Sequence, residues 1–240
     1  MGILSIVATP IGNLEDISLR ALRALFSADV IACEDTRRAG SLLSELKKRY
    51  EPILTGLSIS LDKPPTFIRY DDRTEQQSTP VLLEHLASGA TVVLISDAGT
   101  PLLNDPGYIL VREVRRKGIP VNSIPGASAL LTALTVAGLP TDKFMYLGYP
   151  PEKQAHRVRL LESLKECNRR IEETYVFYVS PHKLTGMLED LSAVLGNIEI
   201  TFARELTKKF EEVWTGTLDE AKIRYADPKG EFVLLFRIAS

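Results

Sequence analysis

Short apolar segments with the composition of β-strands alternate with amphipathic segments of helical periodicity along the chain, and this alternation restricts the fold more than any other feature. Several of the apolar segments (VVLI, YVFYV, FVLLF) have no polar face, as expected for parallel strands covered by helices on both sides. The repeated strand–helix order predicts an α/β protein with mainly parallel sheets. The predicted strands are Ile3–Ala8, Val30–Cys33, Thr91–Ser96, Ile119–Ile124, Phe144–Leu147, Thr174–Val179, Ile198–Ala203 and Phe232–Ile238. The predicted helices are Leu19–Ser27, Arg37–Tyr50, Thr79–Ser88, Gly107–Lys117 and Ser128–Ala137.

The length of 240 residues is enough for one or two domains. Gly118 directly follows a predicted helix, and a new strand begins just after it. We therefore predict two α/β domains, 1–118 and 119–240, with a cleft between them. The segment Leu57–Gln77 is long, polar and without clear periodicity, and we expect it to border the site or to be partly disordered.

Charge and cysteine content exclude several classes of protein. The chain has 29 lysines and arginines against 31 aspartates and glutamates, so any nucleic-acid partner must meet a local basic patch. Cys33 and Cys167 are too far apart for a disulfide framework or a zinc-ligand spacing, and no metal is predicted. No apolar run approaches the roughly 20 residues of a membrane span, and no basic leader precedes the first apolar stretch. We therefore expect a cytoplasmic protein without membrane contact.

Glycines, prolines and acidic residues cluster directly after predicted strands, in the segments ATPIGN, CEDTR, SDAGTPLLNDPG and PGAS. Ligands of open α/β sheets bind outside the carboxyl ends of the strands, so these loops predict a small-molecule site. The dinucleotide fingerprint, the P-loop and the nucleophile elbow of hydrolases are all absent from the sequence.

Each of these loops also has a purely structural interpretation when taken alone. The segment 9–13 is compatible with a tight turn, and 97–101 with a turn capped by Asp97. The segment 33–37 is compatible with a helix cap and a surface ion pair, and 125–128 with a plain helix start. Their joint occurrence in this order favours a ligand site.

The ordered motifs VATPIGNLEDIS, CEDTR, ISDAGTPLLNDPG, PGAS, AGLPTDKF, FYVSPHKL, ARELTKKFEEVWTGTL and KGEF extend from Ile6 to Phe232. In this set the chain resembles the 16S rRNA cytidine 2′-O-ribose methyltransferases, a family of the tetrapyrrole methylase superfamily. The resemblance implies two α/β domains that bind S-adenosylmethionine between them. It further implies a homodimer, and a decoding-centre cytidine of 16S rRNA in the small ribosomal subunit as the substrate.

The same resemblance implies the residues of the site. Those expected to line the cofactor are Pro10, Ile11, Gly12, Asp97, Gly99, Thr100, Pro101, Ser128, Ala129, Tyr178 and Val179. The chain departs from the family pattern at Val179, where a glutamate is common, and in the segments 148–153 and 69–75.

A 2′-hydroxyl is a weak acid, so a base near it should assist methyl transfer. We expect Glu205 or Asp35 to be that base, with Arg37 and Arg204 orienting the carboxylates or holding a substrate phosphate. Basic side chains at a helix start are by themselves typical of an ordinary solvated helix, and the resemblance favours RNA contact instead. The residues expected to contact RNA are Lys153, Arg157, His182 and Lys183.

Two other functions stay open at this point. One is C-methylation of a tetrapyrrole on the same fold, which the segments CEDTR and ARELTK disfavour. The other is a non-catalytic module that binds RNA or a nucleotide and retains the pocket.

Overall fold

The structure is a computed structural model that describes residues 2–57, 59 and 64–238. The chain divides into two compact units, Met1–Ser128 and Ala129–Ser240. In the described part of the chain no helix has the length and apolar character that crossing a membrane requires.

The first unit is built on a five-stranded sheet in the order β3-β2-β4-β1-β5, with every neighbouring pair parallel. Its strands are β1 (Ile3–Val7), β2 (Val30–Cys33), β3 (Thr66–Arg69), β4 (Thr91–Leu94) and β5 (Val121–Ile124). Its helices are α1 (Leu19–Phe26), α2 (Thr36–Gly56), α3 (Glu75–Ala87) and α4 (Tyr108–Arg116). The parallel order confirms the predicted α/β class, because each pair of strands is connected through a helix or a long crossover.

Helices cover both faces of this sheet, which explains why its strands are apolar on both sides. On one face α1 and α2 bury an apolar cluster that includes Leu22, Leu25 and Leu46. On the other face α3 and α4 bury a second cluster that includes Leu82, Leu86, Leu110 and Val114. The sheet edge where the strands end is left to the connecting loops.

The second unit contains a five-stranded sheet in the order β6-β7-β10-β8-β9. Its strands are β6 (Phe144–Tyr146), β7 (Thr174–Val179), β8 (Glu199–Arg204), β9 (Glu212–Thr217) and β10 (Phe232–Phe236). Its helices are α5 (Ala129–Val136), α6 (Gln154–Asn168), α7 (Pro181–Leu195) and α8 (Leu218–Arg224). One pair, β6 and β7, is parallel, and the other three pairs are antiparallel. The prediction of mainly parallel strands therefore holds for the first sheet and not for the second, because the hairpin β8–β9 reverses the chain direction.

All eight predicted strands are confirmed, with ends that differ by at most two residues. The strands β3 and β9 were not predicted. The division into units falls after Ser128, ten residues beyond the predicted boundary, because β5 pairs with β1 and completes the first sheet. The segment 57–77 contains β3 and the start of α3, and its residues 58 and 60–63 lie outside the described part of the chain.

Candidate functional site

The loops that follow β1 and β4 are joined at the carboxyl edge of the first sheet. Thr9 and Gly99 form an antiparallel bridge, with the Thr9 amide donating to the Gly99 carbonyl at 2.9 Å and the reverse bond at 3.1 Å. The loop after β5 is attached as well, since the Thr100 hydroxyl donates to the carbonyl of Ala127 at 3.0 Å. These bonds bring three of the four predicted ligand loops together, and the fourth, CEDTR, is joined to them through Glu34, which accepts from the Asp97 amide.

Two glycines allow these loops to approach closely. Gly99 has φ +83°, and a Cβ at this position would lie 3.1 Å from Cγ2 of the buried Ile11. A Cβ on Gly126 would lie 3.0 Å from the Cβ of Ala8. Nearby, the buried Ser128 hydroxyl has no hydrogen-bond partner among the described residues. Buried polar groups are normally satisfied, so an orphaned hydroxyl at a ligand loop fits a site that a ligand completes.

Charged side chains surround the end of β4. The Asp97 carboxylate accepts a hydrogen bond from Arg38 of α2 at 2.8 Å, and the Asp97 amide donates to Glu34 Oε1 at 3.2 Å. A small pocket of about 50 Å³ lies here, lined by Pro10, Cys33, Arg38, Ala39, Leu42, Ile95, Ser96 and Asp97. A pocket for a drug-sized ligand measures roughly 300–1,000 Å³. The pocket is therefore too small to hold a nucleoside by itself.

Two carboxyl groups at this edge have raised pKa values. Burial is the main reason that the pKa of Asp105 is raised to about 6. The negative charges of Asp97 and Asp72 also raise this pKa, whereas the Ser96 hydroxyl acts to lower it. Burial is also the main reason that the pKa of Glu34 is raised, although the amide of Asp97 acts in the opposite direction. No arrangement of acidic, histidine and cysteine side chains suited to a metal occurs within the described ranges.

The same surroundings make Cys33 an unreactive thiol. Burial first, and then the charges of Asp97, Asp35 and Glu34, raise its pKa to about 12. The Cys33 side chain thus stays protonated at neutral pH and packs in the core, whereas Cys167 is exposed.

The loop that carries Asp105 is held in an unusual conformation. Leu102 and Asn104 have φ values of +70° and +74°, which are uncommon for residues other than glycine. Gly107, at φ +141°, lies so close to Leu94 that a Cβ would be 2.8 Å from its Cδ2. Strained backbone conformations of this kind persist only where the surrounding packing enforces them. Packing therefore holds the loop, and Asp105 with it, in one conformation.

Asp35 and Arg37 form a helix cap and an ion pair, the purely structural role with which the sequence of residues 33–37 is also compatible. Asp35 accepts from the Arg37 amide at 2.9 Å and caps α2, while the Arg37 guanidinium pairs with the same carboxylate. The side-chain and backbone hydrogen bonds of Arg37 lower the pKa of Asp35 to about 2. A carboxylate with so low a pKa is a weak base at neutral pH, so these contacts do not support the predicted catalytic role.

Glu205 and Arg204 lie in the second unit, where both make internal bonds. Glu205 Oε1 accepts from Lys208 Nζ and from the Glu231 amide, each at 2.9 Å. Burial acts to raise its pKa, but the bonds from Glu231 and Lys208 outweigh burial and lower it. Arg204 donates to Glu212 at 2.8 Å and to the Lys229 carbonyl at 3.1 Å. These bonds stabilise the β8–β9 hairpin. The carboxylate of Glu205, the predicted base, and the guanidinium of Arg204 therefore already have partners within the chain.

The other cofactor residues predicted in the second unit lie at the starts or ends of its elements. The Leu130 amide in the first turn of α5, next to Ala129, donates to the Tyr178 hydroxyl at 3.1 Å. Val179 is buried in the apolar core of this unit and pairs with Phe232. That the strand end at Tyr178 and Val179 closes a cofactor pocket stays a prediction. That the remaining residues share one site with the first unit's loops stays a prediction.

The predicted RNA-contacting residues differ in their surroundings. Arg157 forms an ion pair with the buried Asp190 at 2.7 Å and donates to the carbonyls of Pro151 and Glu152. Its side chain is only 13% exposed and joins helices α6 and α7. These contacts do not support a role in RNA contact, which stays a prediction. Lys183 pairs with Glu152, whereas Lys153 and His182 are exposed.

Three site residues were missed from the sequence: Glu34, Arg38 and Asp105. Glu34 and Asp105 stand inside the motifs CEDTR and SDAGTPLLNDPG, and Arg38 directly follows the first of these. The sequence signal that could have indicated these three residues is that each lies in or directly after a polar segment that follows a predicted strand.

Comparison with known proteins decides the family. Residues 4–222 match the family described as Tetrapyrrole (Corrin/Porphyrin) Methylases. The chain belongs to the tetrapyrrole methylase family. It is 41% identical over 236 residues to the ribosomal RNA small subunit methyltransferase I of Halalkalibacterium halodurans, covering 98% of this chain and 75% of that protein. It is 40% identical to the protein of the same name from Thermotoga maritima, covering 98% of each chain.

The crystal structure of the methyltransferase CobJ superposes on this tetrapyrrole methylase with a TM-score of 0.68 at 23% identity, covering 100% of this chain and 95% of that one. At that identity the likeness shows the fold alone. Together with the relatives, it confirms the fold class and the family that the ordered motifs indicated.

The loops of the first unit fit the methyl donor of methyltransferases, S-adenosylmethionine. Gly99 and Gly126 let the loops pack closely against Ile11 and Ala8, and the Ser128 hydroxyl offers an unused polar group. The carboxylate of Asp97 at this edge suits a ligand that carries a sulfonium and an ammonium group. The residues present are therefore chemically suited to this cofactor.

Proposed function

We propose that the chain transfers a methyl group from S-adenosylmethionine to the 2′-oxygen of a cytidine ribose in 16S rRNA. The observation that carries the proposal is the near full-length similarity to proteins named ribosomal RNA small subunit methyltransferase I. The clamped, glycine-bearing loops of the first sheet support it, because they place the motif residues around one edge. The proposal includes the cytoplasm as the place of action, the small ribosomal subunit as the partner, and the homodimer that the resemblance implies.

The cofactor supplies an activated methyl group together with its own leaving group. The chain must then hold the ribose hydroxyl in line, keep water out and accept one proton. Gly99, Thr100 and Ser128 would hold the cofactor, and Asp97 would face its cationic part.

We propose Asp105 as the group that accepts the hydroxyl proton. It stands in the same loop as Asp97, close to Ser96, which lines the pocket. Its pKa of about 6 leaves it ionised at pH 7 while keeping it a stronger base than an ordinary aspartate. The lowered pKa values of Asp35 and Glu205 make both less suitable.

Methyl mapping of small-subunit RNA tests the function. Unmodified 30S particles or 16S rRNA, incubated with the chain and labelled cofactor, should gain one 2′-O-methylcytidine. The Gly99→Val variant should lose cofactor binding by at least about tenfold, since its side chain would meet Ile11 at a residue with positive φ. Calorimetry with S-adenosylmethionine measures that loss, and circular dichroism checks that the variant is folded.

Gly118→Ala provides a matched control, because Gly118 also has positive φ but has open space around its Cβ position and lies away from the ligand loops. It should bind the cofactor like the unaltered chain. Methylation of a porphyrinogen in place of RNA would overturn the proposed substrate, and cofactor binding without any transfer would favour a non-catalytic module.

A further inference from the structure

The connection between β8 and β9, residues 205–211, presents an aromatic side chain to solvent. Phe210 is 66% exposed and is among the most exposed large apolar side chains of the described chain. Lys209 Nζ lies over its ring, 5.6 Å from the centroid. Lys209 has no carboxylate within ion-pair distance among the residues that the structure describes. A cation and an exposed aromatic ring therefore stand side by side on this connection.

The connection is held rigidly, so the exposure of Phe210 is not the result of a loose loop. Lys208 bridges Glu205 and Glu231, with both N–O distances at 2.9 Å. The Thr207 amide donates to the carboxylate of Glu211. Glu205 and Thr207 have φ values of +50° and +64°, a conformation that persists only where surrounding contacts enforce it. These contacts also engage the acidic groups of the connection, so they oppose an anionic ligand less than free carboxylates would.

An aromatic ring fixed in an exposed position, beside a cation, suits an unpaired nucleic-acid base. Single-stranded RNA is recognised by stacking of its bases on aromatic side chains and by contacts of its phosphates with lysine and arginine. Where a target nucleotide is paired or stacked, it has to be displaced to enter an active site, and a stacking surface lowers the cost of that displacement.

We propose that Phe210 stacks on an unpaired base of the RNA substrate and that Lys209 contacts an adjacent phosphate. This subsite rests on the proposed function and extends it, because it assigns RNA contact to residues outside the predicted set. It also replaces Arg157, whose guanidinium is engaged by Asp190 and by two backbone carbonyls.

Replacement of Phe210 by alanine tests the proposal with the full chain and 30S particles or 16S rRNA. Phe210→Ala should raise KM for RNA about tenfold, as expected for the loss of one base stack, while the affinity for S-adenosylmethionine stays the same. Phe210→Trp should restore the lost RNA affinity, because it keeps a stacking ring. Lys209→Met should lower the slope of log affinity against log salt concentration by about one.

Ile223→Ala is the matched control, since Ile223 is 81% exposed in the same unit, on α8. It should leave KM for RNA unchanged. An unchanged KM in Phe210→Ala overturns the subsite while RNA methylation by the unaltered chain still stands. A change in oligomeric state in Phe210→Ala, measured by light scattering, would instead make the ring part of a contact between copies of the chain. Absence of RNA methylation in the unaltered chain would contradict the proposed function itself.

Discussion

Replacing Asp105 by asparagine is expected to lower kcat for methyl transfer at pH 7.5 by about 10²-fold or more, the usual contribution of a positioned general base. Asparagine has nearly the same size and can still accept a hydrogen bond, but it cannot take a proton. The affinity for S-adenosylmethionine should change by no more than about twofold. Single-turnover kinetics on RNA substrate, together with calorimetry on the cofactor, would separate the two effects.

The neighbouring and competing carboxylates provide the comparison. Asp72→Asn should keep kcat at pH 8 and move the acidic limb of the pH profile to lower pH, because the Asp72 charge helps to raise the pKa of Asp105. Glu205→Gln and Asp35→Asn should affect stability more than the chemical step, since both carboxylates make internal hydrogen bonds. If Glu205→Gln folded normally and lost as much turnover as Asp105→Asn, Glu205 would be the base and the assignment to Asp105 would be wrong.

The pKa of Asp105 also predicts how the Asp105→Asn variant changes stability with pH. A carboxyl group whose pKa rises from 3.8 to about 6 on folding binds its proton more tightly in the folded state. Stability from this group is therefore lost as pH rises from about 4 to about 6, and ionised Asp105 destabilises the fold at neutral pH. After allowance for solvent screening, Asp105→Asn should raise the free energy of unfolding by about 1 kcal/mol at pH 7 and have little effect at pH 4. Urea denaturation at the two pH values would measure this, and a variant less stable at pH 7 would contradict the stated cause.

The strands could be predicted where their burial leaves a local pattern. Thr91–Leu94 and Phe232–Phe236 are apolar at nearly every position because both faces of each strand are covered. β3 has only two apolar residues and lies at the sheet edge, and β9 is an edge strand with a glycine near its end. Edge strands bury little surface, so their sequences carry a weaker pattern.

The ligand loops could be predicted for a similar reason, whereas the roles of individual side chains could not. Glycine at position 99 reflects its own backbone conformation and one close contact, which a motif can record. The pKa of Asp105, by contrast, depends on Ser96, Asp97 and Asp72, which the fold brings to it. Glu205 resembles a catalytic glutamate in its motif, yet its carboxylate is committed to an amide 26 residues away. Long-range partners decide such roles, and single-sequence patterns do not contain them.

The role of Arg157 is also decided by long-range partners, and its replacement has the largest expected effect on stability. Its guanidinium pairs with Asp190, which is 2% exposed and also accepts from Gln154 at 2.8 Å. Removing the arginine would leave a buried carboxylate with one neutral donor, and Arg157→Met should therefore lower the free energy of unfolding by about 3–5 kcal/mol.

The double variant Arg157→Met/Asp190→Leu should recover most of that loss, because it removes the uncompensated charge together with its partner. Lys153→Met is the matched control at the start of the same helix, where the side chain is exposed and makes no capping bond. It should change stability by less than about 0.5 kcal/mol. Denaturant titration of the four proteins, alongside the salt dependence of RNA affinity, separates the two roles. If Arg157→Met kept its stability and instead lowered the salt slope by about one, the arginine would bind a phosphate, as the family resemblance implies.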